Sequence, residues 1–122
     1  MYIKYNDVDF FSSLEKIWGV YMPESYTYPA KFYIDSDGIT IKFPDLPGCL
    51  SCADTIKEAL YNAKEALELY MFGLEEDGEI IPKPTDMNKI PLKSNEVLAS
   101  IKANMVTARK EVISFKKEYA MA

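Results

Sequence analysis

The sequence predicts an α+β domain in which one long helix lies on a small sheet, with short helices at the two termini. Three observations carry that expectation. A stretch from about Thr55 to Glu76 spaces its apolar residues as a helix does, short alternating segments precede it, and one more follows. The order is strand, strand, strand, helix, strand.

The helix is the clearest element. Ile56, Ala59, Leu60, Ala63, Ala66, Leu67, Tyr70, Met71 and Leu74 recur at i, i+3, i+4 and i+7 along one face. Thr55 and Glu58 have the spacing of a capping box, and Asp54 adds a carboxylate at the positive end of the helix dipole. Gly78 ends the run, with Pro82 and Pro84 beyond it. Upstream, Ala30, Phe32 and Ile34 alternate, and Ile39, Ile41 and Phe43 repeat the pattern after Asp35-Ser36-Asp37-Gly38. That spacing is a β-hairpin in which Gly38 supplies a positive φ. Pro44 and Pro47 break the ladder, Gly48 turns the chain, and a third strand falls near Cys49–Ala53. Val97, Ala99, Ile101 and Ala103 alternate again as a fourth strand. Val8, Phe11, Leu14, Ile17 and Trp18 have helical spacing near the start, as do Met105, Ala108, Val112, Phe115 and Tyr119 near the end.

Composition narrows the chemistry. With 122 residues, 48% of them hydrophobic, the chain builds one modest core. No apolar run reaches the roughly 18 residues of a membrane span, so the expectation is a soluble, cytoplasmic protein. Histidine is absent, which removes the commonest general base and metal ligand. Neither a metal nor a cofactor is expected. The net charge of −5 is uneven: residues 1–82 carry 15 acids against 6 bases, and residues 83–122 carry 8 bases against 4 acids. An acidic body repels nucleic-acid phosphates and attracts basic proteins.

The segments YPAKFYIDSDG, ITIKFPDLPGCLSCADT and IKEALYNAKEALELYMFGLEEDGEIIPKPT, in that order, resemble the HicB antitoxin family of bacterial toxin–antitoxin systems. Pro44, Asp45, Pro47, Gly48 and Cys49 of the proline turn and Asp54 with Thr55 at the helix start carry the resemblance. It implies a partial ribonuclease-H-like fold that is not a nuclease. It also implies a small basic partner, a HicA-like toxin, whose RNA-cleaving surface the antitoxin covers. The expected organisation is an N-terminal helical extension over 1–26, a HicB-like domain over 27–104 and a basic amphipathic helix over 105–122. About 18 residues after Asn104 are too few for a helix-turn-helix module, which argues against DNA binding. The other reading is an orphan HicB-like domain serving as a nucleic-acid-binding or regulatory adaptor.

Candidate sites follow from residue type. Metal-dependent hydrolysis needs converging carboxylates, yet Asp35, Asp37 and Asp45 all occupy turn positions that aspartate favours for its own backbone bonds. Cys49 and Cys52 have a redox-pair spacing but fall on a strand rather than at a helix start, so two structural thiols are expected. On the long helix, Tyr61, Glu65, Glu68, Leu69, Phe72 and Glu76 project away from the core stripe. They read as a partner-binding face with apolar anchors and an acidic rim, or as a face covered by the N-terminal helix or by another copy in a homodimer or higher homo-oligomer. Arg109, Lys110, Lys116 and Lys117 are expected to be exposed, as a solvated face or as weak phosphate contacts.

Overall fold

A computed structural model describes residues 23–112. Residues 26–103 form one compact unit, and residues 23–25 with 104–112 belong to a second. The first unit is a four-stranded sheet with one long helix. Strands β1 (Ser25–Asp35), β2 (Gly38–Lys42), β3 (Leu50–Ala53) and β4 (Glu96–Asn104) are arranged in the order β3-β2-β1-β4. Helix α1 (Ile56–Asp77) lies over β3 and β2.

The β1–β2 hairpin closes with Asp35 paired to Gly38. Ser36 and Asp37 keep negative φ, and Gly38 takes φ +139°. The Asp35 carboxylate accepts the Asp37 N–H at 2.8 Å, the backbone bond that makes aspartate a turn residue. Alternation sends Tyr28, Ala30, Phe32, Ile39, Ile41 and Phe43 into the core, while Thr40, Lys42, Leu50 and Cys52 stay exposed. Pro29 sits inside the central strand without breaking the ladder. Continued from Lys31↔Lys42, the β1–β2 register sets it beyond the last residue of β2, where no N–H is needed.

Strand β4 completes the sheet antiparallel to β1. Ile34 N–H donates to the Asn95 carbonyl at 3.0 Å at one end, and Met105 N–H donates to the Glu24 carbonyl at 2.9 Å at the other. Between α1 and β4 the chain is irregular apart from a short 3₁₀ turn at Met87–Lys89. This long connection carries the chain back to the hairpin end of the sheet before β4 begins.

Helix α1 starts and stops where its caps dictate. The Thr55 hydroxyl accepts Glu58 N–H at 3.2 Å, and Glu58 reaches back to Asp54 N–H at 3.2 Å, one residue earlier than a simple capping box requires. Gly78 closes the C-terminus in the left-handed region. The row facing the sheet is Ala59, Ala63, Leu67 and Met71, all fully buried. Ile56 and Leu60, expected in that stripe, are about half exposed because the helix start rests near the sheet margin. In the second unit residues 105–112 are helical, and Asn104 caps them by accepting Thr107 N–H at 3.2 Å. The expected N-terminal helix, together with Phe115 and Tyr119, lies outside the described residues.

A Cβ at Gly38 would stand 3.0 Å from the Ala53 carbonyl oxygen across the β2–β3 ladder, at a φ that L-residues rarely adopt. Gly38→Ala is expected to cost ~1–2 kcal/mol in urea denaturation, with an unchanged m-value.

Candidate functional site

The outer side of α1 presents Tyr61 and Leu69, 63% and 64% exposed, with Glu65 on the turn between them and Glu76 exposed near the helix end. The i, i+4, i+8 spacing of Tyr61, Glu65 and Leu69 lines them up on one flank. Two of the expected face residues are not at the surface. Phe72 is 6% and Glu68 9% exposed. Helical angle locates the side of α1 turned from the sheet, but carries no information on what lies over that side. Glu68 is also tied locally, accepting an ion pair from Lys64 Nζ at 2.9 Å. On the same stretch, Glu75 accepts the Tyr26 hydroxyl at 2.7 Å, linking the helix end to β1.

The acidic surface continues past the helix start. An open cleft of about 360 Å³ is lined by Asp35, Asp37, Asp54 and Glu58 together with Gly38, Thr40, Cys52 and Asn62. In the sequence each of these carboxylates belongs to its own turn or cap. Pairing of β1, β2 and β3 brings them together, because it sets the hairpin turn beside the helix N-terminus.

The proline turn has a structural task. Phe43, Leu46 and Cys49 close it through backbone bonds of 3.0–3.3 Å, and the Tyr70 hydroxyl donates to the Pro47 carbonyl at 2.9 Å. Asp45 reaches forty residues along the chain: its carboxylate accepts both Thr85 N–H, at 2.9 Å, and the Thr85 hydroxyl. Tyr28 donates its hydroxyl to the Pro82 carbonyl. Burial, and then the Asp45 charge, hold the Tyr28 phenol above its usual ionisation range. Together these bonds moor the Pro82–Thr85 connection against the sheet end. Asp45 is therefore a clasp as well as a turn residue, a role that no local pattern announces. Gly48 takes φ +89° in the same turn, and Pro44 leaves β2 where its pairing ends.

Asp35 and Asp37 lie at one end of β2, and Asp45 lies beyond the other. Among the described residues no three histidine, cysteine or carboxylate side chains are grouped to hold a metal ion. The two cysteines are free and differently placed: Cys49 is buried with its thiol 3.7 Å from the Ala66 carbonyl, and Cys52 is exposed. Burial pushes the Cys49 thiol up to about 11, the opposite of what an attacking thiolate needs. The basic tail also differs from expectation. Arg109 is 2% exposed and donates to the Pro23 carbonyl at 2.7 Å, so its guanidinium is spent on backbone rather than offered to phosphate. Lys110 is exposed, and Lys116 and Lys117 lie outside the described residues. Among the described residues no helix is long and apolar enough to cross a membrane.

Fold and surface together define a small α+β domain that presents an acid-rich helix with exposed apolar side chains at Tyr61 and Leu69. The chain belongs to the HicB-like antitoxin family of bacterial toxin–antitoxin systems, whose model matches residues 28–117. Antitoxin HicB 2 of Photorhabdus laumondii is 36% identical over 85 residues, covering 70% of this chain and 59% of that protein. A 14.9 kDa protein from the rep-hol intergenic region of Haemophilus phage HP1 is 45% identical over 56 residues, covering 46% of this chain and 42% of that protein. The chain thus spans about half the length of these curated relatives. Among solved structures, a HicA3 and HicB3 toxin–antitoxin complex matches with a TM-score of 0.52 and 26% identity, over 62% of this chain and 95% of that one. A toxin–antitoxin complex from Streptococcus pneumoniae shares the fold, with a TM-score of 0.63 and 24% identity over 68% of this chain and 71% of that one.

Two outcomes follow from the clasp and the thiols. Asp45→Ala is expected to destabilise the domain by ~1–2 kcal/mol, and a double-mutant cycle with Thr85→Val should show coupling of about 1 kcal/mol. A thiol-exchange reagent at pH 8 should titrate Cys52 rapidly and Cys49 only on unfolding. The raised Cys49 value also has a sign. Its contribution to stability is intact below about pH 9, the ordinary thiol range, and falls as pH rises from there towards 11.

Proposed function

We propose that the chain is an antitoxin that neutralises a small, basic, HicA-like mRNA-cleaving toxin by covering its active surface, and that it performs no reaction itself. The observation that carries this reading is the outer flank of α1, where Tyr61 and Leu69 are exposed on either side of Glu65. Burying one such apolar side chain gains roughly 1.5–3 kcal/mol, and the net acidic helix, with six acids against Lys57 and Lys64, favours a positively charged partner and speeds its arrival. Family membership and the likeness to the HicA3 and HicB3 complex support the same partner class. The β-β-β-α-β order fits the partial ribonuclease-H-like arrangement that the resemblance implies. The working location in this reading is the cytoplasm, where the toxin's RNA substrate lies. The domain boundaries follow it too: 27–104 is the toxin-binding domain, with 1–26 and 105–122 as appended elements. The assembly in this reading is a homodimer or higher homo-oligomer, the form that most soluble oligomers take. The adaptor reading loses support from Arg109, the one arginine of the chain, which is buried against backbone.

Co-expression with the toxin tests the proposal. The chain should rescue growth and co-purify with the toxin. Tyr61→Ala and Leu69→Glu should each weaken the complex by about tenfold or more, with the association rate falling as salt rises. A toxin that stays lethal and unbound beside a well-folded chain overturns the proposal.

A further inference from the structure

The two edges of the sheet are protected very differently. β3 is four residues long, follows the proline turn, and lies under α1. β4 runs for nine residues with no proline, glycine or bulge, at the end of the sheet remote from β3. Long unguarded edges are pairing templates, which proteins usually blunt. The bonds that tie β4 to β1 engage Asn95 and Met105, and hence the odd-numbered positions between them. The main-chain groups of Leu98, Ser100 and Lys102 therefore point off the sheet. Ser100 and Lys102 are exposed, and Val97 is 51% exposed on the helix side of the sheet.

We infer that β4 pairs antiparallel with β4 of a second copy across a two-fold axis at Ala99, joining two sheets into one of eight strands. The sequence of the strand selects this register. An axis at Ala99 sets Glu96 opposite Lys102 of the other copy, twice by symmetry, and Val97 beside Ile101. It also pairs Leu98 with Ser100, whose outward N–H and C=O groups are those the ladder needs. Moving the axis to Ser100 sets Leu98 against Lys102 and loses both charge pairs. Glu96 enters the pair partly ordered. Its Oε1 accepts Lys93 N–H at 2.8 Å, which leaves Oε2 for lysine, and its own N–H is held by the Lys93 carbonyl, which ends the ladder there. Helix α1 covers β3 and β2, so it does not obstruct the β4 edge.

This inference rests on the homo-oligomeric part of the proposed function and is independent of toxin binding. The purified full-length chain should sediment as a dimer of twice 13.9 kDa. Glu96→Lys and Lys102→Glu should each raise the dimer dissociation constant by about tenfold, since two attractive pairs become repulsive, and the double reversal should restore it. Ala99→Cys in a Cys52→Ser background should cross-link to itself under mild oxidation, because paired Cα atoms at a non-hydrogen-bonded site lie within disulfide reach. Ser100→Cys should cross-link less. A dimer indifferent to both single reversals overturns the β4 interface while leaving homo-oligomerisation standing. A chain that stays monomeric and does not cross-link overturns both. An edge that pairs only when toxin is added belongs to the toxin, and that result overturns the inference as well.

Discussion

The arrangement depends on one packing contact, the row Ala59, Ala63, Leu67 and Met71 pressed onto β2 and β3. Two alanines in that row let the helix axis approach the sheet closely, and the larger Leu67 and Met71 complete the buried row. Everything that gives the surface its character follows from that seating. It turns the flank of Tyr61, Glu65 and Leu69 outward and sets the helix N-terminus, with its acids, beside the hairpin turn. It also leaves the β4 edge clear of α1.

Polar bonds then fix what packing leaves loose. The connection after α1 is long and irregular, and without anchorage β4 would have no defined approach to β1. Asp45 on Thr85 and Tyr28 on Pro82 supply that anchorage from the far end of the sheet. The proline turn that distinguishes this family at the sequence level is thus a mooring for the chain on its way to the last strand.

Much of this was legible in the residues, for reasons that are local. Thr55, Glu58 and Gly78 mark the helix within one residue of its observed ends because capping is settled by neighbours three or four positions away. Asp35 and Gly38 mark the hairpin for the same reason, and the alternation of Val97 to Ala103 marks β4. What escaped depends on distant partners. Nothing near Asp45 points to a threonine forty positions on, and nothing near Arg109 points to the Pro23 carbonyl. Phe72 and Glu68 sit at helical angles that look outward, yet they are buried. Periodicity reports the direction a side chain takes from its own helix and leaves open what it meets there. The acidic cleft escaped similarly, being the meeting of two ordinary features, a turn and a cap.

The central claim is that the outer flank of α1 is where a basic toxin is held. Hydrogen exchange of backbone amides, compared for the free chain and for the chain saturated with toxin, tests it most directly. The account predicts slowed exchange concentrated in the helical turns around Tyr61 to Leu69, with the proline turn unchanged. Protection confined to residues 104–112 or to the open face of the sheet, with those turns unaffected, would contradict it.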